Sequence, residues 1–315
     1  MYIGSMDVGG SKTLVGIINE RGEVLSKVRV STNVADCLGH FSVCCQKLRE
    51  CAETIRLPLN QLNGIGIALP GIVNKSAGIL TRAVFAGWCN ITVADIIRRE
   101  MKTDAVFIEN DVNACAIGEL CFGFKERFHD FIWVTVSTGV GGAVVCGDRL
   151  IPGALGCAGE MGHVKVEYTD PYICPCKQYG CLEAHGSGTA ITRYTKQAMK
   201  EDSGFAALFK AQDLSADALG CSVLAEQGNE TALGIYRKAA VYLGRGLSYG
   251  VNILNPEAII LGGGISRSLN LLHDTIQETI RKCVINNLAH VEVVQTQLGY
   301  DAAFLGAAAL ALYQG

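Results

Sequence analysis

Residues 2–18 read YIGSMDVGGSKTLVGII. An apolar run, Tyr2–Met6, stops at Asp7; the pair Gly9-Gly10 follows, and Leu14–Ile18 is apolar again. Apolar runs of this length on either side of a glycine pair predict two strands joined by a tight turn. Asn19-Glu20-Arg21-Gly22 predicts the next turn, leading into a third strand, Glu23–Val30. The pattern returns at residues 130–146, DFIWVTVSTGVGGAVVC. There a strand Asp130–Ser137 meets the turn Thr138-Gly139-Val140-Gly141-Gly142, then a strand Ala143–Cys146 and the turn Gly147-Asp148-Arg149. Asp7-Val8-Gly9-Gly10 and Gly139-Val140-Gly141-Gly142 hold the same place in the same hairpin. This weak internal repeat predicts two related, β-rich α/β halves.

Between the repeats, Leu38, Phe41, Cys45, Leu48 and Ala52 fall at helical spacing and predict a helix of about twenty residues. Gly64–Leu69 is a buried strand halted by Pro70-Gly71, Thr92–Met101 a short amphipathic helix, and Ala105–Glu109 a strand ending at Asn110-Asp111. Asp111 is the expected N-cap of a helix running through Leu120. After the second repeat come a mostly helical stretch, Ala184–Asn252, a strand Ala258–Leu261 closed by Gly262-Gly263-Gly264, a strand Val291–Thr296 and an apolar helix Ala302–Leu312. The last helix is expected to pack back onto the N-terminal half.

The chain of 315 residues is long enough for two ordinary domains. A formal charge of −3 with 18 % charged residues supplies no basic footprint for nucleic acid. Fourteen cysteines suggest a secreted disulfide framework, but Met1–Met6 has no cationic start and no long apolar run. No stretch reaches the ~18 apolar residues of a membrane span. Cys44, Cys45, Cys115 and Cys121 sit among Ala, Leu and Val, where cysteine acts as a small hydrophobe. The expectation is a cytoplasmic protein with no nucleic-acid or membrane partner.

The 37 glycines cluster after strands, where the missing Cβ lets backbone N–H groups approach phosphate oxygens. Neither G-x4-G-K-[ST] nor G-x-G-x-x-G occurs, so a nucleotide is expected between separate hairpins of two domains. A second group of residues lies in GHVKVEYTDPYICPCKQYGC: His163, Cys174, Cys176 and Cys181, flanked by Glu160 and Glu183. One imidazole and three thiols at loop spacings can close a tetrahedral shell around zinc, and four protein ligands make such a site structural. The single residue between Cys174 and Cys176 is tighter than the usual zinc-finger pair, which leaves free thiols as the alternative.

These motifs resemble those of the ROK (repressor, open reading frame, kinase) sugar kinases, in order and over essentially the whole chain. Asp7-x-Gly9-Gly10-Ser11-Lys12-Thr13 is similar to the family's first phosphate loop, and Ser137-Thr138-Gly139-Val140-Gly141-Gly142 to its second. Leu261-Gly262-Gly263-Gly264-Ile265 resembles the adenosine-side turn, and Glu109-Asn110-Asp111-x-Asn113-Ala114 the segment with the catalytic aspartate. Glu160-x-Gly162-His163 and Cys174-x-Cys176-x4-Cys181-Leu182-Glu183 resemble the sugar and zinc signature. Lys177 departs from it, standing where a glycine usually follows the second cysteine, and His185 is read as a bystander.

The resemblance implies an α/β chain of two-domain, actin-like, ribonuclease-H-like ATPase fold that closes on its substrate. The domains would be 1–117 plus 298–315, and 118–297 with the zinc loop. It implies ATP, Mg²⁺ and a structural Zn²⁺. Asp111 would be the general base for a sugar hydroxyl attacking the γ-phosphoryl group. Gly71, Asn110, Glu160, His163 and Glu183 would hold the sugar. Asp7, Gly9, Gly10, Lys12, Thr13, Thr138, Gly139, Gly263 and Gly264 would hold the nucleotide and Mg²⁺. Within the family the expectation is a hexose kinase acting at the 6-hydroxyl, glucose before N-acetylmannosamine, then fructose or allose, assembled as a homodimer or homotetramer. Repressors of the family carry a helix-turn-helix domain ahead of the sugar-binding part. The first phosphate loop here starts at residue 7, so an enzyme is expected rather than a regulator.

Overall fold

The structure is a computed structural model that describes residues 1–83 and 85–313. It contains two compact units. One comprises Met1–His129, Ala143–Ala158 and the stretch from Thr296 onward; the other comprises Asp130–Gly142 and Gly159–Gln295.

The first unit opens with β1 (Tyr2–Val8), β2 (Lys12–Asn19) and β3 (Val24–Ser31), then α1 (Cys37–Thr54) and β4 (Leu62–Leu69). A small antiparallel sheet follows, β5 (Gly71–Asn74), β6 (Ile79–Ala83) and β7 (Cys89–Ile91), then α2 (Val93–Met101), β8 (Val106–Asn110) and α3 (Asp111–Phe122). The main sheet has the order β3-β2-β1-β4-β8. β1, β4 and β8 run parallel, with Asp7 opposite Ala68 and Leu69 opposite Asn110. β1 sits between two neighbours and is buried along most of its length, whereas β3 at the edge alternates between exposed and half-buried positions. The periodicity placed these elements well. The small sheet escaped it, because its strands are short and broken by polar residues. α1 buries Phe41, Cys45, Leu48 and Ala52, but Leu38 in its first turn is 60 % exposed.

The second five-stranded sheet draws on β9 (Phe131–Val136), β10 (Val140–Cys146) and β11 (Arg149–Leu150), then on two later strands. Helices α4 (Leu182–Gly186), α5 (Gly188–Glu201), α6 (Ser203–Ala211), α7 (Ala218–Glu226) and α8 (Glu230–Leu254) come between. β12 (Ala258–Gly262) and β13 (Glu292–Gln295) enclose α9 (His273–Cys283), which the sequence reading did not assign although Ile276 and Ile280 mark its buried face. β9, β12 and β13 are parallel. Asn229 caps α8 by accepting from the Ala232 N–H, and the helix ends where Asn255 turns left-handed (φ 49°). Tyr236, Leu243 and Leu247 of α8 fill the core of this unit.

The last helix is α10 (Ala302–Ala309), within the first unit as expected. It is apolar on all sides because it is covered by β1, β4 and α3. Small residues let the backbones meet: a Cβ on Gly306 would stand 2.1 Å from the Ala114 carbonyl oxygen of α3. Among the described residues, no helix is long and apolar enough to cross a membrane.

Candidate active site and metal centre

In the first unit the parallel strands deliver their carboxyl ends to one edge, the usual ligand edge of such sheets. Asp7 stands one residue before the end of β1 there, and Asn110 closes β8. Asn110, not Asp111, is the N-cap of α3: its backbone is extended (φ −59°, ψ 144°) and its Oδ1 accepts from the Val112 and Asn113 N–H groups. Asp111 is therefore the first helical residue, its Oδ1 3.0 Å from the Val112 nitrogen. The Asn110 amide donates to the Gly71 carbonyl at 3.0 Å. Gly71 has φ 141°, and a Cβ there would lie 2.1 Å from the Arg82 carbonyl oxygen, so the close approach requires glycine.

Asp7 carries an electrostatic load. Burial first, then the Asp111 carboxylate, with Asp301 as a smaller contribution, pushes its pKa up from 3.8 to about 7 against the pull of Lys12. A hard divalent cation is what such an excess of carboxylate oxygen accommodates, so the donor set fits Mg²⁺. Lys12 Nζ donates to the Tyr300 hydroxyl at 2.5 Å and lies 4.3 Å from that ring's centre. In the turn itself the Gly9 N–H donates to the Lys12 carbonyl, 2.9 Å away. Thr13 is buried, and its hydroxyl faces Thr32 and His40 in the interior.

In the second unit Thr138 and Gly139 begin the other glycine turn. Glu183 Oε2 accepts from the Val140 N–H at 3.0 Å, and a Cβ on Gly139 would stand 2.3 Å from that same oxygen. Glycine at 139 is what lets Glu183 reach the turn. Gly263 has φ 85° and packs against the Val136 carbonyl, while Gly264 opens onto free space. A cavity of about 740 Å³ extends from Thr138 and Gly264 past Thr189, Asp217 and Arg267, a volume suited to a nucleoside. Neither Asp217 nor Arg267 stood out in the sequence, since only the fold gathers them here.

His163, Cys174, Cys176 and Cys181 converge in the same unit, with their donor atoms all within 4.8 Å of one another. Bond lengths of ~2.3 Å to sulfur and ~2.1 Å to nitrogen give a tetrahedron with edges of about 3.6–3.8 Å. Cys176 and Cys181 Sγ are 3.7 Å apart, and Cys174 Sγ is 3.7 Å from His163 Nδ1. The residues fit zinc. Nδ1 faces the thiols, so Nε2 points away from them, toward Glu160 Oε2 at 3.8 Å. Lys165 Nζ, 3.0 Å from Cys181 Sγ, brings a positive charge to the edge of the cluster. Burial pushes the Cys174 thiol up to about 12, which zinc ligation would reverse.

The two doubtful residues of this loop are placed clearly. Lys177 has φ 68°, the left-handed conformation a glycine adopts without strain, and the turn closes through its N–H to the Cys174 carbonyl at 2.8 Å. The departure from glycine thus leaves the loop's path intact. His185 is buried outside the cluster, its Nε2 accepting from the Tyr172 N–H at 3.1 Å.

Two α/β units, with glycine turns after β1 in one and after β9 and β12 in the other, define the actin-like, ribonuclease-H-like ATPase fold. A solved ROK family glucokinase from Streptomyces griseus, in complex with glucose and AMPPNP, is similar over 100 % of both chains, with 31 % identity and a TM-score of 0.84. The glucokinase of Thermotoga maritima is 34 % identical across 97 % of this chain and 95 % of its own length. The glucokinase of Streptomyces coelicolor is 30 % identical across 97 % of this chain and 96 % of its own. The ROK family pattern matches residues 3–314, and the chain belongs to the ROK family.

Proposed function

We propose that this protein transfers the γ-phosphoryl group of Mg·ATP to the 6-hydroxyl of a hexose, glucose in the first place. The observation that carries the reading is the division of labour at the start of α3, where Asn110 takes the capping duty and Asp111 stands beside it at the ligand edge, next to Asp7. The glucokinase name of relatives that match over nearly their whole length favours glucose over N-acetylmannosamine, fructose or allose.

In the first unit, Asp111 orients the attacking hydroxyl and collects its proton. An alcohol is a poor nucleophile, so most of the rate comes from positioning and charge neutralisation. Asn110, pinned to Gly71, presents its amide to a neighbouring sugar hydroxyl. Asp7 would hold Mg²⁺, which supplies charge neutralisation at the phosphates when bound. Gly10 offers its backbone N–H while that of Gly9 closes the turn on the Lys12 carbonyl, and Lys12 swings its ammonium from Tyr300 to a phosphate oxygen. In the second unit, Thr138 and Gly264 hold the nucleotide along the cavity wall, and Gly139 and Gly263 shape the turns that carry them. Glu160, Glu183 and His163 Nε2 accept from or donate to sugar hydroxyls, and His163 Nδ1, Cys174, Cys176 and Cys181 would hold zinc. Zinc there fixes the imidazole orientation and the path of the loop, acting as an organiser. Thiolate ligands and ATP use suit the reducing cytoplasm, and a homodimer or homotetramer is the assembly to check by light scattering.

A coupled ADP-release assay across a hexose panel tests the reading. Turnover with glucose well above N-acetylmannosamine, fructose and allose is expected. No ATP consumption with any hexose or N-acetylhexosamine would overturn it.

A further inference from the structure

Behind the first glycine turn, His40 of α1 is 1 % exposed and joined to the turn by a directed chain of hydrogen bonds. Thr32 Oγ1 is 2.7 Å from the Gly9 carbonyl oxygen, Thr13 Oγ1 is 3.0 Å from Thr32 Oγ1, and His40 Nε2 is 2.9 Å from Thr13 Oγ1. At the far end the Asn33 N–H points at His40 Nδ1, 3.4 Å away. A carbonyl only accepts, so Thr32 spends its single proton on Gly9 and must accept from Thr13. Thr13 in turn must accept from an Nε2–H of His40. A backbone N–H only donates, so Nδ1 must offer its lone pair to Asn33. Both ends of the chain demand the same species, the neutral imidazole with its proton on Nε2.

The surroundings agree with a neutral ring. Burial holds the His40 pKa below its ordinary value. Cys44 Sγ lies 3.6 Å from Nε2, and burial pushes that thiol up to about 12, so it brings no charge. Phe41 and Trp88 pack their rings around the imidazole with centroids 5.8 Å away.

We infer that His40 is a positioning residue of the first phosphate loop, acting through Thr13 and Thr32 to set the orientation of the Gly9–Gly10 peptide. The peptide unit is planar and trans, so a Gly9 carbonyl held inward by Thr32 turns the Gly10 N–H outward. That N–H is one of the donors the loop offers to a nucleotide phosphate. A second tie, from the Thr32 N–H to the Ser11 carbonyl at 3.2 Å, anchors the same turn. Thr13 therefore serves the loop from behind, with its hydroxyl committed to this relay. The inference rests on the kinase reading for its ligand but on these contacts alone for the loop geometry.

Three variants test it. His40→Gln places an amide N–H near the position of Nε2 and keeps the donor to Thr13. His40→Asn reaches only the Nδ1 position and loses that donor. Thr32→Val breaks the chain at the next step without touching the histidine. Calorimetry should show AMPPNP binding weakened about fivefold in His40→Asn and Thr32→Val, the weight of one net hydrogen bond, with glucose binding changed less than twofold. Deuterium exchange at residues 9–13 should quicken in both, and His40→Gln should restore most of each effect. Unchanged nucleotide affinity and exchange in both broken variants would overturn the inference, as would nucleotide and sugar affinities falling together in step with a lower Tm. If the parent protein bound no nucleotide, the kinase reading would fall, and exchange at residues 9–13 would still decide the relay.

Discussion

Replacing Asp7 with Asn should stabilise the magnesium-free protein above neutral pH. The sign follows from linkage. A carboxyl whose pKa is raised by folding binds its proton more tightly in the native state than in the unfolded chain. It costs nothing below its unfolded value, costs progressively more as the pH climbs, and costs in full above its folded value. For Asp7 those limits are 3.8 and about 7, set by burial and by the neighbouring Asp111. Were the charge wholly unrelieved, that interval would correspond to about 4 kcal/mol at 1.36 kcal/mol per pH unit. Asp7 is only partly buried, and water reaching the strand end trims the expectation to about 1–2 kcal/mol. Urea unfolding of parent and Asp7→Asn between pH 5.5 and 8.5 reads the difference, in which titration of every other group cancels because both proteins share it. The variant should gain on the parent as the pH rises and level off above pH 8. Saturating Mg·ATP should erase the gain by stabilising the parent alone. A variant that tracks the parent at every pH, or is the weaker of the two at pH 8.5, refutes the argument.

Asp111→Asn should lower kcat by about 10²–10⁴-fold while glucose and AMPPNP affinities stay within a fewfold, because Asn110 and not Asp111 caps α3. A large fall in Tm with little loss of turnover would reverse those roles. Cys176→Ser should release one zinc per chain, measured by elemental analysis, and weaken glucose binding while AMPPNP binding holds; a variant that keeps both zinc and sugar affinity counts against the metal centre. Gly306→Ala should destabilise the protein by about 1–3 kcal/mol in urea, since its Cβ falls 2.1 Å from the Ala114 carbonyl oxygen and must push α10 off α3.

The glycine turns were legible because each follows an apolar run and each needs a residue without Cβ. The candidate metal ligands stood out because one imidazole and three thiols within nineteen residues have few other uses, and the fold brings their donor atoms together. What the sequence hid is what depends on partners far along the chain. Asp111 looks as good a cap as Asn110 until the backbone shows which of them is still extended. Thr13 reads as a phosphate contact beside Lys12, and only Thr32, just past β3, and His40 of α1 turn its hydroxyl inward. Tyr300 lies 288 residues from Lys12, and no local pattern pairs them. α9 and the small sheet β5-β6-β7 were missed for another reason: α9 shows its helical spacing in only two apolar residues, Ile276 and Ile280, and the strands of the sheet are too short to show a period.

Lys177 shows how a departure from a family motif can be absorbed. Its backbone sits at φ 68° between two zinc-ligand candidates, in a turn closed from its N–H to the Cys174 carbonyl. A residue with a Cβ pays about 1–2 kcal/mol for that conformation, while glycine adopts it freely but loses about 0.5–1 kcal/mol more chain entropy on folding. The balance favours glycine by roughly 0.5–1 kcal/mol. Lys177→Gly should therefore slow zinc release to a chromophoric chelator by about two- to fivefold, if opening of this turn precedes loss of the metal. Lys177→Val should hasten release, since a β-branched side chain tolerates the left-handed region worst. Both substitutions remove the same charge, so opposite effects isolate the backbone from the electrostatics of the shell. Equal acceleration by both would show instead that the Lys177 ammonium, and not the turn, governs retention of the metal.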